Sequence, residues 1–125
     1  MAAVSYFTPQ EFLCHCGRDE CEAPKDLTPG LRETLERLRA LYGAPLIVTS
    51  GLRCDFWNRH EGGVQGSEHL TGEAVDLACR DSRARMRLVT LASSLGITRV
   101  GISHTFVHLG VGPKHPSHVL WLYRA

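Results

Sequence analysis

The sequence predicts an α+β domain in which a small antiparallel sheet has helices packed on it. Three observations carry this reading. Two long segments repeat apolar residues at helical spacing, and β-like segments dominate the last quarter. Those closing segments stand only a few residues apart, too close for βαβ crossovers. At 125 residues with 43% hydrophobic side chains, the chain is one domain in length and apolar enough for one core. Residues 1–125 are therefore read as a single domain.

The first helical signal is local. Thr8 can cap, Pro9 suits the first helical position and Glu11 completes a T-x-x-E capping box. Phe7 and Phe12 fall where a hydrophobic staple would place them. Gly17 and several charges follow, so this helix is short. A second start lies at Thr28-Pro29, after which Leu31, Leu35, Leu38 and Leu41 recur at helical spacing until Gly43. Pro45 to Thr49 reads as a buried strand entering the loop Ser50-Gly51-Leu52-Arg53, and Gly62, Gly63 and Gly66 mark a turning loop. Ala74 to Ala78 is a second strand. Asp81 caps a third helix carrying Met86, Val89, Leu91, Ala92 and Leu95, with Gly96 as its stop. Thr98 to Ile102, Phe106 to Val111 and Val119 to Tyr123 complete the sheet, punctuated by Gly112-Pro113 and His115-Pro116.

Charge narrows the function. Fourteen Lys and Arg against thirteen Asp and Glu give a net charge of +1, which argues against binding to a phosphate backbone. No run approaches the roughly 20 apolar residues of a membrane span. The opening MAAVSYFTPQ lacks the basic and apolar regions of a secretory signal, so synthesis in the cytoplasm is expected. Nothing suggests an obligate oligomer, and a monomer is the default. Five Cys, an odd number, and seven His make a metal site worth seeking.

The chemistry concentrates in Ser67-Glu68-His69-Leu70-Thr71-Gly72-Glu73-Ala74-Val75-Asp76. A loop His is followed seven residues later by an Asp inside a strand, and Gly72 would let the chain turn so that both face one point. Imidazole nitrogen and carboxylate oxygen are both zinc ligands. A third ligand must come from elsewhere, and His108 on the Phe106–Val111 strand is the natural candidate. Three protein ligands leave a fourth position open, the mark of a catalytic rather than a structural zinc. The plainer alternative has Asp76 bonded to backbone amides and His69 on the surface.

The stretch Ser67-x-His69-x-x-Gly72-x-Ala74-x-Asp76 resembles the S-x-H-x-x-G-x-A-x-D signature of the zinc D-alanyl-D-alanine carboxypeptidase family, which includes peptidoglycan endopeptidases and phage endolysins. Thr49-Ser50-Gly51-Leu52-Arg53-Cys54, then Asn58 and Gly62-Gly63-Val64, is similar to the run that precedes the signature in the small single-domain branch. Phe106-Val107-His108 resembles the strand supplying the last ligand, and Phe12, Cys14, Cys16 and Gly17 fit the same branch. The resemblance implies a hedgehog/DD-peptidase-like fold, a Zn2+ cofactor held by His69, Asp76 and His108, and a peptidoglycan peptide as substrate. It also implies that Arg53 binds a substrate carboxylate or carbonyl, with a salt bridge to an Asp such as Asp55 as the alternative. Ser67 would support the metal site. Acting on a cell wall from the cytoplasm would require a lytic or phage route of release.

One departure stands out. The third-ligand motif normally reads H-x-D, but here it is His108-Leu109-Gly110, and Thr105 fills the position where other branches carry a carboxylate. Both usual places for an acidic partner lack one. His104 is the leading substitute as catalytic base, since residues four apart on a strand share a face. Glu68 and Glu61 are weaker candidates. The expected activity is hydrolysis of stem or cross-link peptides at bonds involving D-amino acids; the alternative is a zinc-containing peptidoglycan-binding module with impaired catalysis.

Other features have plainer expectations. Cys14, Cys16 and Cys21, with His15 or Cys54, could form a second, structural zinc site, but C-x-C followed by x4-C lacks the two-plus-two knuckle spacing. Partly buried free thiols are the simpler reading. His60, His115 and His118 read as solvated loop residues, Trp121 and Tyr123 as sheet packing, and Trp57 as a residue that could line a groove.

Overall fold

The computed structural model describes residues 5–123. The first four residues of the opening segment, on which the leader reading partly rests, lie outside them.

A 3-10 turn, Pro9–Phe12, begins as the capping pattern requires, with the Glu11 carboxylate accepting the Thr8 amide at 2.6 Å. The Phe7 and Phe12 rings meet at 5.5 Å across it. Helix α1 (Pro29–Tyr42) buries Leu31, Leu35 and Leu38 and closes on Gly43 in the left-handed region. Leu41 does not join that face and is 53% exposed, because the 3.6-residue period brings Tyr42 round to the core instead. Helix α3 (Ser82–Ser94) is capped by Asp81, whose carboxylate accepts the Ala84 amide at 2.8 Å. Its buried residues are Leu88 and Ala92, while Met86 points outward and is 71% exposed. The short helix α2 (Asp55–His60) follows the Arg53 loop.

Five strands form one sheet: β1 (Val48–Ser50), β2 (Ala74–Ala78), β3 (Arg99–Ile102), β4 (Phe106–Gly110) and β5 (Val119–Leu122), in the order β1-β2-β4-β3-β5. The pairs β1/β2, β2/β4 and β4/β3 are antiparallel, but β5 runs parallel to β3. The sheet is therefore mixed rather than wholly antiparallel. The reason is where β5 lands. It reverses direction after β4, as a short connection demands, but steps across β3 and pairs on its far side. Helix α3 likewise carries the chain from β2 to β3, two strands that run alike with β4 between them.

Alternation along β2 and β4 sorts their side chains by face. Val75, Leu77, Val107 and Leu109 join Leu35, Leu38, Leu88 and Ala92 in the core. Asp76 and His108, paired directly across β2 and β4, project from the opposite face. One sheet surface is thus spent on packing against helices, and the other is left for chemistry.

Candidate metal centre

A second 3-10 turn, Glu68–Thr71, delivers His69. Ser67 caps it, its hydroxyl accepting the His69 amide at 3.2 Å, and Gly72 ends it with φ 73°. That left-handed turn, which L side chains adopt at a cost, redirects the chain into β2. The buried His69 ring is fixed from behind. Its Nδ1 lies 2.7 Å from the Gly51 carbonyl oxygen, an acceptor only, so Nδ1 carries the proton and Nε2 is the free nitrogen. Nε2 faces Asp76 Oδ1 at 3.3 Å.

His108 approaches the same carboxylate oxygen from β4, with Nδ1 2.9 Å from Asp76 Oδ1. Its other nitrogen, Nε2, is 2.6 Å from Glu68 Oε2. Glu68 is itself buried and held at both oxygens. Arg99 Nε donates to Oε2 at 3.0 Å and the Gly112 amide to Oε1 at 2.9 Å. Burial works to raise the carboxyl pKa of Glu68, but the bonds from His108, Gly112 and Arg99 outweigh it and leave it lowered. Asp76 is depressed in the same manner, burial being overcome by His108 and His69. Burial would lower His108, yet its bonds to Asp76 and Glu68 raise it.

Gly110 explains how Glu68 comes to be there. A Cβ on residue 110 would collide with the Glu68 carboxylate. The strand position that lacks its expected acid is the position that makes room for another acid, arriving from the loop before β2.

Arg53 sits on the other flank of Asp76. Its Nε donates to Ser50 Oγ at 3.1 Å and one terminal nitrogen to Asn58 Oδ1 at 3.1 Å, while the other lies 3.5 Å from Asp76 Oδ2. Its acidic partner is therefore Asp76 and not Asp55. These groups open into a cleft of about 490 Å³, whose lining includes Arg53, Ser67, Arg99, Trp121 and Tyr123. Trp121 packs against His108 at 5.2 Å between ring centroids and carries the Arg99 guanidinium on its face at 5.1 Å.

The structure brings together His69, Asp76, His108, Arg53 and Ser67. It does not bring His104 to them. His104 is exposed in the turn between β3 and β4 rather than on the strand, so the four-residue parity argument does not reach it, and it does not line the cleft. Glu61 lines the cleft but is exposed. Trp57 stacks on His60 at 4.6 Å between ring centroids and is not among the residues lining the cleft. Trp121, Tyr123 and His115, in contrast, do line it. Arg99 went unseen in the sequence, since an isolated Arg at a strand start carries no signal that its partner is 31 positions earlier.

The donor set fits a divalent zinc ion. One atom each from His69, Asp76 and His108 lies within 4.8 Å of the others. Each imidazole has its remaining nitrogen tied to an oxygen acceptor, Gly51 O for His69 and Glu68 for His108. That outer shell fixes ring orientation and leaves one nitrogen per ring for the metal.

Comparison with known proteins agrees with this geometry. No curated protein matches the sequence. The family described as peptidase M15 matches residues 5–110, from before the first 3-10 turn to the end of β4, and so includes all three candidate ligands. With that match over most of its length, the chain belongs to the peptidase M15 family of zinc-dependent metallopeptidases.

Proposed function

We propose that the chain is a zinc metallopeptidase that hydrolyses stem or cross-link peptides of peptidoglycan, at bonds involving a D-amino acid. The observation that carries this reading is the convergence of His69 Nε2, His108 Nδ1 and an Asp76 oxygen at the wall of an open cleft flanked by Arg53. These three residues would hold the ion. Zinc supplies a Lewis acid for the peptide carbonyl and for water. His69 and Gly51, and His108 and Glu68, set the ring orientations. Arg53, its plane fixed by Ser50 and Asn58, presents a forked cation suited to a carboxylate or carbonyl of the peptide. Ser67 holds the turn that carries His69.

A second reading has one observation in its favour. Of the three acids lining the cleft, Glu68 is bonded to His108, Arg99 and Gly112, and Asp76 faces both imidazoles, so neither of these buried groups is free to take up a proton, and the third, Glu61, is exposed. A module that binds zinc and muropeptides without turnover would look like this. Incubating purified peptidoglycan with the zinc-loaded protein and with His69→Ala, then analysing products by mass spectrometry, separates the two. The peptidase reading expects new peptide fragments from the wild type alone. Tight muropeptide binding with identical product profiles would establish the module instead.

A further inference from the structure

The segment from Leu13 to Thr28 contains no helix or strand. Structureless stretches of this length are uncommon in a small domain. Yet Ala23 and Leu27 within it are buried, so the segment follows a defined path. The segment also carries a group of sulfurs. One sulfur each from Cys14, Cys16, Cys21 and Cys54 lies within 4.8 Å of all the others. Cys79, the fifth cysteine, stands apart with its thiol directed at the Asp81 carbonyl.

We propose that Cys14, Cys16, Cys21 and Cys54 form a second metal site, a structural zinc with four sulfur ligands. Zinc–sulfur bonds of about 2.3 Å at tetrahedral angles put sulfurs about 3.8 Å apart. Cys14 and Cys54 already stand at 3.7 Å. Four mutually close sulfurs form the corners of one polyhedron, whereas disulfides would sort them into two pairs. Backbone amides already point at three of them. Arg18 N donates to Cys16 at 3.4 Å, Cys54 N to Cys14 at 3.4 Å and Trp57 N to Cys54 at 3.5 Å. Four thiolates and one Zn2+ carry a net charge of −2, and Arg18 and Lys25 line a hollow together with Cys14, Cys16 and Cys21.

The sequence spacing disfavours such a site because C-x-C followed by x4-C is not knuckle spacing and because the fourth ligand comes from far along the chain. Cys54 follows Arg53 directly, so the metal would fasten the N-terminal segment to the loop that carries the cleft's cation. This site is independent of the reading of the cleft, and it fails or holds separately.

The test uses the full chain purified under reducing conditions, with zinc content, zinc-edge X-ray absorption and thiol titration as readouts. Two zinc ions per wild-type chain are expected, and one per chain in His108→Ala, coordinated by sulfur alone at about 2.3 Å. A thiol reagent should find four more cysteines after chelation than before. Cys21→Ser should lose one zinc and melt at lower temperature. Should that variant fail to fold, the wild-type absorption spectrum and thiol count still decide. A Cys14–Cys54 disulfide, zinc bound by nitrogen and oxygen only, or thiols fully reactive without chelator would overturn the proposal.

Discussion

Glu68 and Gly110 claim the same space. The carboxylate of Glu68 lies where a side chain on residue 110 would begin, and it bonds His108 Nε2 at 2.6 Å. An acid entering from the loop before β2 thereby stands beside the third candidate ligand, where the strand's own sequence offers glycine.

This exchange predicts strong coupling between the two positions. Gly110→Asp alone should destabilise the protein by about 1–3 kcal/mol, the usual cost of overpacking, and lower zinc affinity as well. Glu68→Ala alone should weaken zinc binding about 10–100-fold, as loss of a ligand's outer-shell partner does. The double variant should recover zinc affinity relative to either single one. Equilibrium unfolding and competition with a chromophoric chelator measure the cycle, and simple additivity would contradict it.

Arg53 is the second point of leverage. Arg53→Lys keeps the charge but loses the fork that Ser50 and Asn58 orient. A rise in KM of about tenfold, corresponding to about 1.4 kcal/mol, is expected, with zinc stoichiometry unchanged. Steady-state kinetics on a defined muropeptide checks this; an unaltered KM would remove Arg53 from substrate binding.

Acid should unfold the metal-free protein through the buried carboxylates. Asp76 and Glu68 have folded pKa values below their ordinary ones, so each contributes stability above about pH 4 that is lost as pH falls through the folded value. His108 is raised, so its contribution is present below about pH 6.5 and fades as pH rises through its folded value. Metal-free protein should therefore be most stable in mildly acidic solution, and Asp76→Asn should flatten the acid limb. Chemical denaturation in chelator across pH tests both statements.

Much of this was legible in the sequence because it depends on local chemistry. Thr8, Glu11, Thr28, Gly43 and Asp81 mark helix ends through short-range bonds, and those ends fall close to where expected. Asp76 and His108 fall inside short β-like runs that the sequence marks locally. What escaped depends on distant pairing. The parallel partner of β5 and the burial of Glu68 through Arg99 and Gly112 each join residues 20 or more positions apart, with no spacing rule to announce them. His104 is the opposite case, because it lies in the hairpin bend two residues before β4 begins, where strand alternation does not apply.

The most direct check of the metal centre is a crystal of the zinc-loaded protein measured on both sides of the zinc edge. The expected result is an anomalous peak bonded to His69 Nε2, an Asp76 oxygen and His108 Nδ1, with the Glu68 carboxylate still on His108 Nε2. A zinc ion on other ligands, or none among these three side chains, would contradict the account.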